Sequence, residues 1–286
     1  MDLQFWVIQA FNGVSYGALL FLLASGLTLI FGVMRIVNLA HGSYFLLGGY
    51  VALSVIWGTG SWLLALPVAA LALAIVGLVM ERVFLRPLGF DPLRQVLLTI
   101  GFAFLFQQAA LDIWGGDLLK VTAPEALTGS IVVGRLHFPV YRIFMIAIAA
   151  AIGLALWLTM EKTRIGAMVR AAVDDAEMAR GVGIDTSRVS MFIFALGAFL
   201  AALGGAIGGD FLGVYPGLDF VILPIAFAVV IIGGMGSLMG AAVGSLLVGL
   251  ADNFGKALFP EFSYFTLYAP MALILALKPT GLFGRE

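Results

Sequence analysis

Few side chains in this 286-residue chain could perform covalent chemistry. It contains no cysteine, and His41 and His137 are its only histidines, so neither thiol chemistry nor a zinc site is expected. No G-x-x-x-x-G-K-[ST] phosphate loop occurs, because residues 255–257 read Gly-Lys-Ala without the required glycine spacing. Ser15, Ser25 and Ser43 stand in apolar contexts with no evident general base, so a serine nucleophile is not expected, although residues 13–17 read GVSYG. The remaining candidates for function are charged and glycine-rich segments suited to binding and movement.

The most charged stretch is segment 161–188, EKTRIGAMVRAAVDDAEMARGVGIDTSR. Arg170 and Asp174 are four residues apart and Glu177 and Arg180 are three apart, so each pair can meet on a helix surface. Alanines favour the helix, and the glycines that come after them are typical of a helix C-terminus. The pattern predicts a short charged helix followed by a tight turn. A solvated connector is the alternative, although the segment is longer than a connector needs to be.

Two stretches interrupt long apolar runs, MRIVNLAHGSYFLLGG (34–49) and GGMGSLMG (233–240). Interrupted helices at matching positions in the two halves of a transporter point to the substrate path. A half-helix N-terminus there could be capped by Asn or Ser and would attract a substrate carboxylate. Close packing through small residues is the competing interpretation. The candidate path residues are Asn38, His41, Gly42, Ser43, Gly233, Gly234, Gly236 and Ser237.

His41 carries a further alternative. A lone histidine near a membrane break is more often a hydrogen-bonded structural residue than a substrate ligand, so a structural role is the first expectation for it.

The composition indicates the environment of the helices that must position these segments. Hydrophobic residues make up 62% of the chain, charged residues 11%, and the mean hydropathy is +1.11. Soluble domains average about 45–50% apolar and about 25% charged residues. Lipid is therefore the expected surrounding, and a net charge of −1 gives no case for nucleic-acid binding.

The uncharged runs predict eight or nine helices, some of them short or interrupted. One span needs about 20 apolar residues, so run 42–80 suits nearly two spans, with a turn at Trp57–Gly60. Runs 3–34 and 220–251 carry breaks near Gly32 and at Gly233–Ser237. The runs without Asp, Glu, Lys, Arg or His are 3–34, 42–80, 95–111, 143–160, 189–209, 220–251 and 262–277.

The distribution of basic residues predicts the orientation, because cytoplasmic loops are enriched in Lys and Arg. With alternating spans the C-terminus lies inside and, for nine spans, the N-terminus lies outside. The predicted inside set is Arg35, Arg82, Arg86, Arg94, Lys162, Arg164, Arg170, Arg180, Arg188, Lys278 and Arg285, and the outside set is Lys120, Arg135, Arg142 and Lys256.

Segment 112–142 is then the largest external loop, and residues 128–135 could form a short β-hairpin. It is either a landing surface for an external partner or only a connector.

Three ordered blocks resemble one known family. RAAVDDAEMARGVGIDTSRVSMFIFALGAFLAALGGAIGG is similar to the coupling loop and following helix of permeases from branched-chain amino acid ABC importers. GVSYGALLFLLASGLTLIFGVMRIVNLAHGSYFLLGGYVAL resembles the family's N-terminal signature, and VVIIGGMGSLMGAAVGSLLVGL resembles its glycine-rich C-terminal signature. Together they cover roughly residues 12–52 and 161–250.

The resemblance implies an all-α polytopic membrane protein of the type II ABC importer kind, with one domain over residues 1–286. It implies that the helix around 170–183 docks on a cytoplasmic ATPase. It also implies that the chain is the shorter of two homologous permeases and works with two ATPases and an external substrate-binding protein. The matching coupling residues are Arg170, Ala171, Asp174, Asp175, Glu177, Ala179, Gly183 and Ile184.

Further expectations follow from the same resemblance. ATP and Mg²⁺ bind the partner ATPases and no cofactor binds this chain, which lies in a bacterial inner membrane. Branched-chain or other small hydrophobic amino acids are the expected substrates, although relatives move urea, amides and other small solutes.

Two other classes remain as alternatives. An autonomous secondary transporter or channel would need no ATPase, and its long charged loop would be only a connector. Such proteins often carry ionisable residues deep in their spans, whereas the acids here fall at predicted helix ends, and most of them are expected to be interface charges: Asp112, Asp210, Asp219, Asp252 and Glu261. An integral-membrane enzyme is disfavoured because no catalytic constellation is visible.

Overall fold

The apolar runs form helices, as they must where lipid offers the backbone no hydrogen-bond partner. In the computed structural model, which describes residues 3–89 and 91–284, two short helices and a β-hairpin accompany nine longer helices. The helices are α1 Leu3–Met34, α2 His41–Thr59, α3 Trp62–Val79, α4 Pro92–Trp114, α5 Val140–Lys162, α6 Arg164–Asp174, α7 Ala176–Gly181, α8 Thr186–Phe211, α9 Leu218–Gly233, α10 Leu238–Leu258 and α11 Ser263–Leu277. The hairpin pairs β1 Ser130–Val133 with β2 Leu136–Pro139.

The predicted bundle with interrupted helices is confirmed. Within the described residues, six helices are long and apolar enough to cross a membrane: α1, α3 with its extension to Leu88, α4, α5, α8 and α10. The apolar helices α9 and α11 are shorter. Helix α2 begins inside the bundle, because the ring of its first residue, His41, bonds to the carbonyl of Leu23 in the interior of α1.

The predicted turn between α2 and α3 is confirmed. Gly60 ends α2 at φ 69°, a left-handed conformation that favours glycine, and the Ser61 side chain accepts the Leu64 N–H at 3.3 Å to cap α3. The break expected near Gly32 begins later. Helix α1 runs on to Met34, and the chain leaves it at Arg35, whose φ is 53°.

Two sets of four helices repeat with opposite direction. Helices α1 to α4 correspond to α8 to α11, because α1 packs on α10 as α8 packs on α3, and α2 contacts α3 and α4 as α9 contacts α10 and α11. Equal six-residue segments, 35–40 and 212–217, separate the first two helices of each set. Helix α5 connects the two sets. Inverted repeats of this kind place substrate sites at the interface between the repeats in many transporters.

Close backbone contact holds the centre of the bundle together. Helices α1 and α8 cross antiparallel where a Cβ on Gly26 would lie 2.6 Å from the carbonyl oxygen of Gly197. A Cβ on Gly205 would likewise collide with the backbone of Phe45 in α2. Small residues permit this close approach of the helix backbones.

The two ends of the bundle differ in charge. The C-terminus of α1, the α3–α4 and α9–α10 turns, helices α6 and α7 and residues 278–284 form the basic end, and the hairpin lies at the opposite end. The alternation agrees with the sets predicted from the basic residues, apart from Arg285, which lies outside the described residues.

Candidate functional site

The N-termini of α2 and α9 meet inside the bundle. The Ser43 hydroxyl in the first turn of α2 donates a 2.8 Å hydrogen bond to Asp219 Oδ2 in the first turn of α9. A Cβ on Gly42 would lie 2.6 Å from the carbonyl oxygen of Asp219, so only glycine permits this approach. Ser43 and Asp219 are fully buried or nearly so. The inverted repeat explains the contact, since equivalent half-helices of two repeats approach each other around their shared pseudo-symmetry axis.

Asn38 and His41 stabilise the start of α2. Asn38 Oδ1 accepts the Ala40 N–H at 3.1 Å, and Thr99 of α4 accepts the Leu39 N–H at 3.2 Å. His41 Nε2 lies 3.0 Å from the Leu23 carbonyl oxygen, which is the structural hydrogen bond expected for a lone histidine. Asn38 Nδ2 and His41 Nδ1 are buried without a hydrogen-bond partner. Both residues lie beside the α2–α9 contact. Their role in the substrate path stays a prediction.

Asp219 was missed as a site residue, and its expected place at the membrane interface is wrong. The residue is 2% exposed, and its Oδ1 has no hydrogen-bond partner in the structure. The available sequence signal for this residue was Gly217, which marks the start of a helix before the apolar run. A helix start does not show how deep inside the bundle the helix begins. Asp252 is also buried within the chain, where Lys256 pairs with it at 2.7 Å.

The second predicted break lies at the basic end rather than beside Asp219. Ser237 caps α10 by accepting the Gly240 N–H at 3.0 Å, and the Gly236 N–H donates to Thr28 of α1 at 3.0 Å. Gly234 has φ 105° and contacts the backbone of Gly284. The glycines 233, 234 and 236 thus let three chain segments pack closely. The two stretches meet only through the start of the first, because Arg35 lines the same cleft as Gly236 and Ser237. Ser43 lies elsewhere, since the repeat equivalent of segment 35–40 is segment 212–217.

A cleft of about 840 Å³ opens at the basic end. Its lining includes Arg35, Gly236 and Ser237, and Arg170 lies 3.9 Å from Glu161 across it. The other side is formed by α6 and by residues of the C-terminal segment. The cleft therefore joins the glycine-rich turn to the predicted coupling segment.

The coupling segment is two helices rather than the single helix expected around 170–183. Asp175 leaves helical geometry at φ −153° and starts α7, where its Oδ1 accepts the N–H groups of Glu177 and Met178, each at 2.9 Å. The predicted i,i+3 pair of Glu177 and Arg180 is not among the ion pairs formed by described residues, and the Arg180 guanidinium donates to the Ala176 carbonyl instead. The kink arises because Asp competes with the helix by capping the next turn.

The turn after α7 is confirmed. Gly183 adopts φ 90°, and the Ile184 N–H returns to the Ala179 carbonyl at 2.9 Å. Ala179 is buried within the chain, and Ala171 and Ile184 are half-buried, whereas Asp174, Asp175 and Glu177 are exposed.

Two apolar side chains on this segment were missed. Met178 is 67% exposed and Val182 is 75% exposed at the surface of α7 and its turn. They are four residues apart, so they share a face of the helical turn. An exposed apolar pair beside carboxylates is suited to contact with another protein. The i,i+4 spacing of these residues in the most charged part of the chain was the available signal.

No group of three or more His, Asp or Glu side chains that could hold a metal ion occurs among residues 3–89 and 91–284. Together, inverted repeats, opposed half-helices and a protruding helical segment at the basic end define a polytopic transport protein.

The family model of the branched-chain amino acid transport system permease component matches residues 9–275, and the chain belongs to this family. It is 30% identical to the high-affinity branched-chain amino acid transport system permease protein BraD of Pseudomonas aeruginosa, over 99% of this chain and 97% of BraD. It is 32% identical to the LivH permease of Escherichia coli, over 98% and 96% of the two chains. The E. coli LivM permease is 24% identical over 91% of this chain and 67% of LivM. No solved structure matches the chain.

Proposed function

We propose that this chain is the LivH-type permease of an ABC importer for branched-chain amino acids, placed in a bacterial inner membrane with its basic end in the cytoplasm. It lines the substrate path with a second, LivM-like permease. Two separate ATPases bind ATP and Mg²⁺ and supply the energy, and an external binding protein delivers the substrate. The chain itself is a transport subunit and performs no catalysis.

The observation that carries the proposal is the exposed apolar pair of Met178 on α7 and Val182 in the turn that follows it. Helix α6 packs against α5 and α1, and α7 packs against α6 and α8. Movement of a protein bound to α7 would therefore be passed to helices of both repeats. This coupling between a soluble contact and the membrane helices is what an ATP-driven importer requires.

The names of the relatives support the substrate class. BraD and LivH are permeases of high-affinity branched-chain amino acid transport systems, and both align with this chain over nearly their whole length. LivM carries a similar name and aligns less closely, as a second, divergent permease would. The opposite end, with its hairpin, would then face the binding protein.

A matched pair of valine variants tests the proposal. Val182→Asp places a charge in the turn after α7, and Val133→Asp places the same charge in the hairpin, where the valine is 59% exposed. The chain is co-expressed with the transport proteins encoded beside its gene, and the amount of ATPase that co-purifies with it is measured. ATP-dependent leucine uptake is then measured after reconstitution into proteoliposomes. We expect Val182→Asp to lower ATPase recovery at least tenfold and Val133→Asp to retain it. Full ATPase recovery and uptake with Val182→Asp would contradict the proposed docking surface, and absence of any ATP-dependent leucine uptake by the unmodified complex would contradict the proposed function.

A further inference from the structure

The α2–α9 contact contains a buried carboxylate with one oxygen unused. Asp219 Oδ2 accepts the Ser43 hydroxyl at 2.8 Å, whereas Oδ1 has no hydrogen-bond partner. Among the described residues, no basic side chain lies within ion-pair distance of Asp219. An ionisable residue inside a membrane protein is costly, and such residues commonly mark the path of a substrate or ion. The site therefore lacks a positively charged partner.

We propose that Asp219 binds the α-ammonium group of the amino acid during its passage through the permease. This inference rests on the proposed function, since it assigns one residue to recognition of that substrate. The unused Oδ1 would accept the ammonium group, while Oδ2 stays bonded to Ser43. The carboxylate would then gain a charge partner, which no described side chain provides.

The geometry favours a positive group over a negative one at this position. The N-terminus of α2 carries partial positive charge and would be expected to attract an anion. Here the Asp219 carboxylate, placed by its hydrogen bond to Ser43, already occupies that place. A substrate carboxylate would meet like charge at the same point. The half-helix site predicted for a substrate carboxylate thus becomes a site for the opposite end of the zwitterion.

The surroundings suit the rest of an apolar amino acid. Tyr50 lies seven residues from Ser43, which places both on one face of α2, and its buried hydroxyl has no hydrogen-bond partner. The Tyr50 ring stacks on Trp114 of α4 with centroids 4.8 Å apart. These rings give an apolar wall that would accommodate a branched side chain.

Access to Asp219 requires the N-termini of α2 and α9 to separate, because their backbones are in close contact at Gly42. The next two residues of α9, Phe220 and Val221, are 36% and 53% exposed, so a neighbouring face of the first turn of α9 is uncovered in the chain. This surface is available to a second permease that would complete the path. Separation of the α2 and α9 N-termini would expose Oδ1 to a passing substrate.

The variant Asp219→Asn separates the charge of this residue from its hydrogen bond to Ser43. Asparagine is isosteric and still accepts the Ser43 hydroxyl, but it carries no charge. Asp252→Asn is the matched control, because Asp252 is another buried aspartate. It pairs with Lys256 near the end of the bundle that carries the hairpin. Leucine uptake and ATP hydrolysis stimulated by the binding protein are measured with the complete importer in proteoliposomes. We expect Asp219→Asn to lower leucine uptake per ATP hydrolysed at least tenfold, and Asp252→Asn to change it less than twofold.

The outcomes separate the two proposals. If the unmodified complex transports no leucine, the proposed function fails. If it transports leucine and Asp219→Asn transports it equally well, the ammonium site fails while the proposed function stands. Equal losses in both variants would assign Asp219 a general structural role and would also overturn the ammonium site.

A second measurement keeps Asp219 intact and does not depend on the folding of Asp219→Asn. The chain has no cysteine, so Ser43→Cys introduces one thiol beside the carboxylate. We expect a trimethylammonium-bearing methanethiosulfonate to label this thiol at least tenfold faster than a sulfonate-bearing one during turnover. Leucinol should slow the labelling, whereas 4-methylpentanoate should not. Equal rates for the two reagents, no labelling, or protection by 4-methylpentanoate alone would overturn the proposal.

Discussion

Asp175→Ala is expected to weaken the docking of α7 while leaving the membrane helices intact. The Asp175 side chain accepts two backbone N–H groups of α7, from Glu177 and Met178, at 2.9 Å each. Helix α7 has only six residues, and isolated helices shorter than about 12–15 residues are marginal in water. The cap therefore contributes a large part of the free energy that keeps α7 helical.

The structure sets the size of the effect. Replacing an N-cap aspartate by alanine costs about 1 kcal/mol, within a range of about 0.5–2 kcal/mol. Because about 1.4 kcal/mol corresponds to a tenfold change, the equilibrium constant for forming helix α7 should fall about fivefold. The apparent affinity for the ATPase should fall by up to the same factor, since only the helical form presents Met178 and Val182 together.

The assay titrates the purified ATPase against the permease pair in nanodiscs and records the concentration that gives half-maximal complex formation. Asp175→Asn is the control, because its side-chain oxygen keeps the cap without the charge, and it should remain within twofold of the unmodified chain. An equal loss in both variants would show that charge rather than capping matters. Unchanged affinity with Asp175→Ala would refute the reasoning.

Three further changes test the packing. Gly26→Ala forces a Cβ to 2.6 Å from the Gly197 carbonyl oxygen and should cost about 1–3 kcal/mol, seen as a lower thermal midpoint in detergent. Gly101→Ala, where a Cβ would meet nothing within 4 Å, should leave that midpoint unchanged or raise it, and equal shifts would contradict this account. Deleting residues 280–286 removes the hydrogen bonds from the Leu282 and Phe283 N–H groups to the end of α9, each 2.9 Å. The deletion should speed amide hydrogen exchange in residues 230–237. Unchanged exchange there would show that the C-terminal segment does not contact α9. Arg188→Ala removes an exposed ion pair with Asp185 and should shift stability by about 1 kcal/mol or less, so a larger shift would reveal an unrecognised contact.

Much of the fold could be predicted from local patterns. The turn at Gly60, the α9–α10 turn and the hairpin lie where glycine and polar residues interrupt apolar runs. These features depend on neighbouring residues alone, because glycine reaches positive φ without strain and lipid leaves apolar backbone few forms besides helix. The kink at Asp175 was also a local feature, but two adjacent aspartates left open which one would cap.

The candidate site could be predicted only in part. Ser43 and Gly42 were chosen because their segment breaks an apolar run, yet their partner lies 176 residues away in sequence. Asp219 was assigned to an interface because acids at helix ends usually lie there. The alignment of segment 35–40 with 212–217, rather than with the later glycine-rich turn, appears only when the packing of the two repeats is known.

The sequence by itself determined the membrane environment, the helical class, the position of the charged segment and, through three motif blocks, the family. These properties follow from composition, periodicity and local backbone preference. Only the tertiary structure decided that two half-helices of opposite direction meet at Ser43 and Asp219, and that Met178 and Val182 remain uncovered. The reason is physical: depth and partnership in a bundle are set by helices that pack across the whole chain, and a buried carboxylate has the same local sequence as one at the surface.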